Sequence, residues 1–381
     1  MMKKKIAIGT LGCRLNKFES DSIETDLKNK GYEIVNINEY ADAYIINTCT
    51  VTNKSDAKSR NMIRKAHRLN PDSILIVAGC YADTDRKKLE EIEGISYIIG
   101  NKKKAGICKI IEESFNNKDN KRDNTNLLNR IKEDSFNYTT ATKGKHTRSF
   151  IKIQDGCNVG CTYCKIPLAR GEARSRSYED ILFNIKSLYE KGFKEFILTG
   201  INIGYYNYED KELYELIKAI YEIKGDFRIR LSSIEPDKLN DSILDCFNNE
   251  KMGQHLHIPL QSGSDKILKL MGRKYTTNEY IKLIDKIKTK YPNINISTDI
   301  IIGFPGETEE DFRKNIDIIK RCKFSHIHTF KYSKRNDTPA ASMPLQVEEY
   351  IKSQRSKIIR DLSTKLNNEY KENQLGRSYK V

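Results

Sequence analysis

Residues 153–171 read IQDGCNVGCTYCKIPLARG, and the three cysteines in this stretch, Cys157, Cys161 and Cys164, decide how the rest of the chain is read. A CxxxCxxC run brings three thiolates close enough for each to bind one iron of a cubane iron–sulfur cluster. The fourth iron is left without a protein ligand. A catalytic cluster needs such an open iron, and an electron-transfer cluster normally lacks one. Structural zinc commonly draws four ligands from two CxxC-type pairs. Here there is one trio, and the nearest histidine, His146, lies upstream and outside any metal-ligand spacing.

Three further cysteines stand upstream of this run. IAIGT (6–10), YEIVNI, AYIINTC, SILIVAGC and ISYIIG (95–100) have the look of short strands, with helices expected at 21–30 and 55–69. Strands alternating with helices imply a doubly wound parallel sheet, whose ligands collect at the carboxyl ends of the strands. Cys13 in TLGCRLN, Cys49 in NTCTVT and Cys80 in VAGCYAD all fall at such ends. A lone buried cysteine is usually a small hydrophobe. Three at equivalent places beside a CxxxCxxC run point instead to a second cluster. Cys108, Cys246 and Cys322 lack that placement and are expected to be structural.

Residues 116–146 are polar and weakly periodic, a linker composition. From Ser149 onward strand–helix units resume, about six of them, as in an open or closed α/β barrel with its chemistry at the carboxyl strand ends. Asn202, Ser232, Ser233, Glu235, Gln261 and Ser262 follow strands there, and Asp299 lies within the next one. The expected division is 1–115 for the sheet domain, 116–146 for the linker, 147–345 for the barrel, 346–375 for a helical segment and 376–381 for the start of a further domain.

The 381 residues are 38% hydrophobic and 31% charged, which suits a soluble globular chain of two or three domains. No stretch approaches the ~20 apolar residues of a membrane span, and the N-terminus lacks the apolar region of a signal peptide. A cytoplasmic location follows, where nine cysteines imply metal or redox chemistry rather than disulfides. The formal net charge of +15 suits a polyanionic partner, nucleic acid first, or else a merely lysine-rich solvated surface.

As a set, TLGCRLNKFESD, NTCTVT, AGCYAD, IQDGCNVGCTYCKIPLARGEARSR, LTGINIG, RLSSIEP, HLHIPLQSGSDKILKLMGRKY, TDIIIGFPGETEEDF and FKYSKRNDTPA resemble the radical S-adenosylmethionine methylthiotransferases, over nearly the whole chain. The family has branches acting on isopentenyl-adenosine in tRNA, on threonylcarbamoyl-adenosine in tRNA and on an aspartate of a ribosomal protein. LGCRLN with IQDGCN is most similar to the threonylcarbamoyl branch, the MtaB type. Two positions depart from the family pattern: Gly160 stands where an aromatic is usual and Lys165 where an aliphatic is usual.

The resemblance implies two 4Fe-4S clusters, one on Cys157, Cys161 and Cys164 and an auxiliary one on Cys13, Cys49 and Cys80. It also implies S-adenosylmethionine, with Tyr163, Asn202, Ser233, Glu235, Gln261 and Asp299 as candidate contacts. The implied reaction is radical methylthiolation at carbon 2 of threonylcarbamoyl-adenosine beside the anticodon. An unactivated aromatic C–H is not acidic, so a radical cofactor carries such a step. The expected partners are tRNA and an electron donor such as flavodoxin or ferredoxin, with the chain a monomer. Alternatives are the same chemistry on isopentenyl-adenosine or on a ribosomal-protein aspartate, and a non-enzymatic iron–sulfur scaffold. The closing LGRSYKV resembles the first strand of a small β-barrel RNA-binding domain, so that domain is expected to be truncated.

Overall fold

The computed structural model describes residues 3–116, 128–138 and 148–378. The first unit is a parallel sheet of β1 (Lys5–Thr10), β2 (Glu33–Val35), β3 (Ala43–Thr48), β4 (Ile74–Gly79) and β5 (Tyr97–Ile99), in spatial order β2-β1-β3-β4-β5. Its strands are continuous apolar runs because both faces are covered. On one face Ile6, Ile45 and Ile76 pack against Phe18, Leu27 and Ile110 from α1 (Arg14–Asn29) and α4 (Ile107–Asn116). On the other, Ala7, Tyr44, Ile46 and Val77 pack against Ile63 and Ala66 of α2 (Asn53–Leu69). The strand order reverses between β1 and β3, and open sheets of this kind bind ligands at that point.

The second unit is an open barrel of six parallel strands: β6 (Ser149–Lys152), β7 (Glu195–Thr199), β8 (Arg228–Leu231), β9 (His255–His257), β10 (Asn295–Ile302) and β11 (His326–Lys331). β6, β7 and β8 pair in sequence order, as do β9, β10 and β11. A bridge between Ile229 and Met252 joins the two triplets. The strands alternate. Ile151, Phe196, Leu198, Ile229, Leu231, Leu256, Ile300 and Ile327 face outward to the helices and form the largest apolar cluster. Polar side chains take the inner face, as period-2 alternation requires. The outer helices α6 (Tyr178–Glu190), α7 (Leu213–Tyr221), α8 (Thr277–Lys290) and α9 (Glu309–Cys322) cover that cluster. α8 and α9 open with reciprocal caps, Thr276 with Glu279 and Thr308 with Asp311. α10 (Glu349–Glu372) packs on β11.

Two expectations need correction. α1 begins at Arg14 rather than at 21, because its buried face carries Asn16, Glu19, Ser20 and Ser22 and so hides the apolar period. The last helix begins at Glu349 rather than 346, since Glu348 is its extended N-cap residue, with a φ of −70° and a ψ of 150°. The opening strand of a β-barrel domain is absent among the described residues. A turn closes with Arg377 N–H on the Gln374 carbonyl, and Gly376 holds a φ of +76°. Residues 379–381 lie outside the described residues, as do 117–127 and 139–146 of the expected linker and residue 147 of the expected barrel. Residues 128–138 pack on the first unit: Ile131 and Tyr138 are buried, and the Tyr138 ring meets Phe18 edge-on at 5.7 Å.

Candidate active site

β1, β3 and β4 are neighbours in the sheet, so the residues that follow them share one edge. Cys13 precedes the first turn of α1, Cys49 follows β3 directly, and Cys80 opens the short helix α3 (Cys80–Thr84) after β4. The sharp exit from β4 requires glycine. Gly79 has a φ of +103°, and a Cβ there would sit 2.6 Å from the Thr48 carbonyl. A Cβ on Gly12 would meet Cys49 Sγ at 2.8 Å, which puts Cys49 against the Cys13 loop. Cys49 and Cys80 are buried and Cys13 is exposed. Burial pushes the Cys49 thiol up to about 11, and its two partner cysteines add to the rise.

The second trio lies on the loop after β6. Gly156 turns the chain at a φ of +74°, where a Cβ would collide with the Glu172 carbonyl. Gln154 braces the loop from inside. Its Nε2 donates to the Asp155 and Gly156 carbonyls, and its Oε1 accepts from the Ile201 and Asn202 amides. Cys157, Cys161 and Cys164 are half-buried. Burial is the main cause that raises Cys157 and pushes Cys164 up to about 12, with the neighbouring thiols adding. Thiols with values this high are protonated near neutrality, so a metal that binds them must displace protons. Gly160 takes a φ of +76° with nothing within 4 Å of a Cβ there. Lys165 is buried against Asp85 at 3.2 Å and Asp337 at 3.5 Å.

One cleft is lined both by Cys164 of the second trio and by Thr50–Thr52, the residues that follow Cys49 of the first. It has a volume of about 230 Å³ and runs from Thr50–Thr52 beside Cys49, past Tyr163 and Cys164, to Gln261 and Asp299. Asn101 ties the two loops together: its Nδ2 reaches Cys80 Sγ at 3.6 Å and the Ala169 carbonyl at 2.9 Å. Beneath them lies a buried ionic seam. Glu19 of α1 bonds to Lys104, to Lys152 at 2.9 Å and to Arg170 at 3.1 Å, and Arg170 also meets Asp155 at 3.0 Å. Arg170 belongs to α5 (Ile166–Arg170), directly after the second trio, and Asp155 and Glu19 outweigh its burial and hold its guanidinium well above the usual arginine range.

The residues expected to contact a cofactor divide. Tyr163, Gln261 and Asp299 line the cleft. Gln261 holds a φ of +66° between backbone bonds from its own N–H to Asp299 O and from Ile301 N–H to its carbonyl. Asn202 is buried with both amide atoms unpaired, and the hydroxyl of neighbouring Ser232 is also unpaired. An unbonded buried amide is costly unless a ligand completes it. Ser233 is half-buried beyond it. Glu235 is committed to an ion pair with Arg273, and Asp299 to His257 at 3.1 Å.

Sequence reading missed Arg273. Its Nη1 donates to Cys161 Sγ at 3.1 Å while Glu235 holds its other nitrogen. The signal was an arginine in MGRKY with no role assigned. A donor to a ligating sulfur orients that ligand, and loss of such a support typically costs 10- to 100-fold in affinity or activity. Arg273→Gln should therefore retain iron about 10-fold less well after reconstitution, read as iron per chain and cluster absorbance. Arg273→Lys should recover part of the loss.

Residues 151–319 match the Radical SAM superfamily, and residues 5–100 match the uncharacterized protein family UPF0004. The chain is 40% identical to the threonylcarbamoyladenosine tRNA methylthiotransferase MtaB of Bacillus subtilis, over 96% of this chain and 81% of that one. It is 38% identical to the protein of the same name from Aquifex aeolicus, over 99% and 92%. The tRNA-2-methylthio-N(6)-dimethylallyladenosine synthase of Carboxydothermus hydrogenoformans is 34% identical over 100% and 88%. Among solved structures, the radical S-adenosylmethionine methyltransferase TsrM from Kitasatospora setae shares the fold, with a TM-score of 0.63 at 14% identity over 89% of this chain and 77% of that one.

Proposed function

This chain belongs to the radical S-adenosylmethionine methylthiotransferase family, and from that premise we propose that it methylthiolates carbon 2 of threonylcarbamoyl-adenosine in tRNA. The observation that carries the reading is the pair of cysteine trios, each at the carboxyl ends of parallel strands, with a cleft lined by Cys164 of one and by the residues just after Cys49 of the other. Each trio fits a cluster with one open iron: three thiols on one loop or one sheet edge, with no fourth cysteine or histidine assigned to either. When bound, a cluster on Cys157, Cys161 and Cys164 supplies the electron for reductive cleavage of S-adenosylmethionine, which opens an unactivated C–H to substitution.

The chain's own residues do the rest. Arg273 steadies Cys161 from the side. Asn202, unpaired and buried at the end of β7, offers a donor and an acceptor to a polar cofactor group. Tyr163, held edge-on to Phe304 at 6.2 Å, makes an apolar wall that keeps water from the cleft. Cys13, Cys49 and Cys80 would hold the second cluster, at the carboxyl ends of β1, β3 and β4. A net charge of +15 favours an RNA substrate over a folded acidic-residue target, and its binding should weaken steeply with salt.

The test is mass spectrometry of nucleosides from tRNA of cells that lack the gene, with and without the chain restored. Loss and recovery of the 2-methylthio-threonylcarbamoyl nucleoside is the expected result. Loss of the methylthio-isopentenyl nucleoside instead would move the substrate to the neighbouring branch. No change in any nucleoside would overturn the tRNA reading.

A further inference from the structure

The cleft has an apolar lip that neither the cysteines nor the buried polar groups account for. Phe330 and Val51 both line it, and both are left in water, 45% and 54% exposed. Exposed hydrophobics scattered singly are ordinary on a protein surface. Two that meet at one cleft from different units are not scattered.

The fold fixes where each stands. On β11, Ile327 packs outward among the helices, so alternation turns His326, His328 and Phe330 to the inner face of the barrel. Strand register agrees: His328 lies opposite Asp299 and Phe330 opposite Ile301, and Asp299 and Ile301 also line the cleft. Among the described residues the Phe330 ring joins no apolar cluster and meets no other ring.

Val51 is carried by the loop after Cys49, and that loop is tied to the end of β11. Arg335 Nη2 donates to Thr50 Oγ1 at 2.6 Å and pairs with Asp56 at 2.7 Å. Asn53 donates from Nδ2 to the Lys334 carbonyl at 3.1 Å and from its N–H to Ser333 Oγ at 3.3 Å. The residues on either side of Val51 are thus held against those that follow Phe330. The lip therefore has one apolar side chain from each unit, and Tyr163 and Cys164 line the same cleft.

A flat ring suits such a pair. Enzymes that act on a base take it out of its stack and hold it between aromatic and apolar side chains. S-adenosylmethionine also carries an adenine, but the unpaired polar atoms that suit a cofactor, those of Asn202 and Ser232, follow β7 and β8 in the other strand triplet. Phe330 is on the last strand, beside the loop of Cys49. A substrate that must meet both trios belongs between them, whereas a cofactor that serves the second trio need not reach the first.

We propose that Phe330 is the stacking platform for the target adenine, with Val51 against the opposite face of the ring, so that the base leaves the anticodon loop and enters the cleft here. The proposal rests on the substrate reading given above. Stacking engages the π-face of the base, so it holds the adenine without reading its substituent.

The experiment uses the oxidised holoenzyme without reductant, so nothing turns over. Binding is measured by fluorescence anisotropy to two anticodon stem–loop RNAs, one with threonylcarbamoyl-adenosine and one with an abasic ribose at the same position. Phe330→Ala should weaken the first roughly tenfold, the usual effect of removing an aromatic from under a base. The abasic RNA should bind the variant within about twofold of the unaltered chain, because the lost contact is absent from it. Phe330→Trp should restore the difference, Phe330→Leu should recover little of it, and Val51→Ser should give a smaller loss confined to the same RNA. Iron content checks that each variant holds its clusters.

Losses equal for the two RNAs, or absent from both, would overturn the platform. So would a Phe330→Ala variant that binds both RNAs unchanged and loses S-adenosylmethionine in equilibrium dialysis, which assigns the ring to the cofactor. The unaltered holoenzyme is then reduced with S-adenosylmethionine and offered threonylcarbamoyl and isopentenyl RNAs. Methylthiolation of the isopentenyl RNA alone sinks the substrate reading and leaves the platform standing. Methylthiolation of the threonylcarbamoyl RNA with no base-dependent loss in Phe330→Ala sinks the platform alone.

Discussion

Cys157→Ala, reconstituted with iron and sulfide and then reduced, is expected to release no 5′-deoxyadenosine above background, whereas Cys49→Ala keeps releasing it and forms no methylthio product. The difference follows from where the two residues stand. Cys157 belongs to the loop after β6, with Cys161, Cys164 and the unpaired Asn202 amide close by. Cys49 closes β3 in the other unit and meets Gly12 of the Cys13 loop. Removal of one cysteine from a trio leaves two thiols for a cubane that needs three. The damage should therefore stay with one trio, and product analysis by chromatography separates the two steps. If both variants lose cleavage alike, the trios do not act as separate centres.

Glu19→Gln is expected to lower the unfolding free energy of the cluster-free chain by roughly 3–5 kcal/mol, the usual cost of removing one partner from a buried ion pair. Glu19 is fully buried and faces three cations, Lys104, Lys152 and Arg170. Without its charge Lys152 and Arg170 keep Asp155, while Lys104 keeps only a hydrogen bond to the Asn47 amide oxygen. Glu195→Gln at the half-exposed barrel rim makes the comparison, with an expected loss of about 1 kcal/mol or less. Urea unfolding measures both, and equal losses would contradict the assignment.

The pH dependence has a definite sign. Burial alone would raise the Glu19 carboxyl, but Arg170, Lys104 and Lys152 outweigh it and hold it well below the usual carboxylate range. Its stabilisation is complete above the ordinary glutamate value of about 4.3 and fades as pH falls through the lower folded value. Asp155 is lowered in the same way by Arg170 and Lys152. In that acid window Glu19→Gln should show a flatter curve than the unaltered chain.

The cysteines were legible because their chemistry is local. CxxxCxxC is a spacing, and Cys13, Cys49 and Cys80 each follow an apolar run. The strands were legible for the same reason, since β3 and β4 are unbroken stretches with every residue or nearly every residue buried. What failed to show was made by contacts distant in sequence. Nothing near Glu19 announces Arg170, and nothing near Arg273 announces Cys161. The seam even disguised α1, because a helix face that buries Asn16, Glu19 and Ser20 reads as polar. Nor did the positions of Glu235 and Asp299 announce that Arg273 would pair with the one and His257 would stand 3.1 Å from the other. A strand-end position says where a side chain stands and leaves open which neighbour will claim it.

The seam also sets the terms on which pieces of this enzyme could be exchanged with those of a relative. Glu19, Lys104, Asn16 and Asn47 come from the sheet unit, and Lys152, Asp155 and Arg170 from the barrel. A chimera joined near residue 147 inherits half of this set from each parent. Any mismatch leaves a charge sealed away from water and without its counterpart. Grafting experiments meant to trade substrate preference would do better to transplant single residues than to cut the chain between its two units.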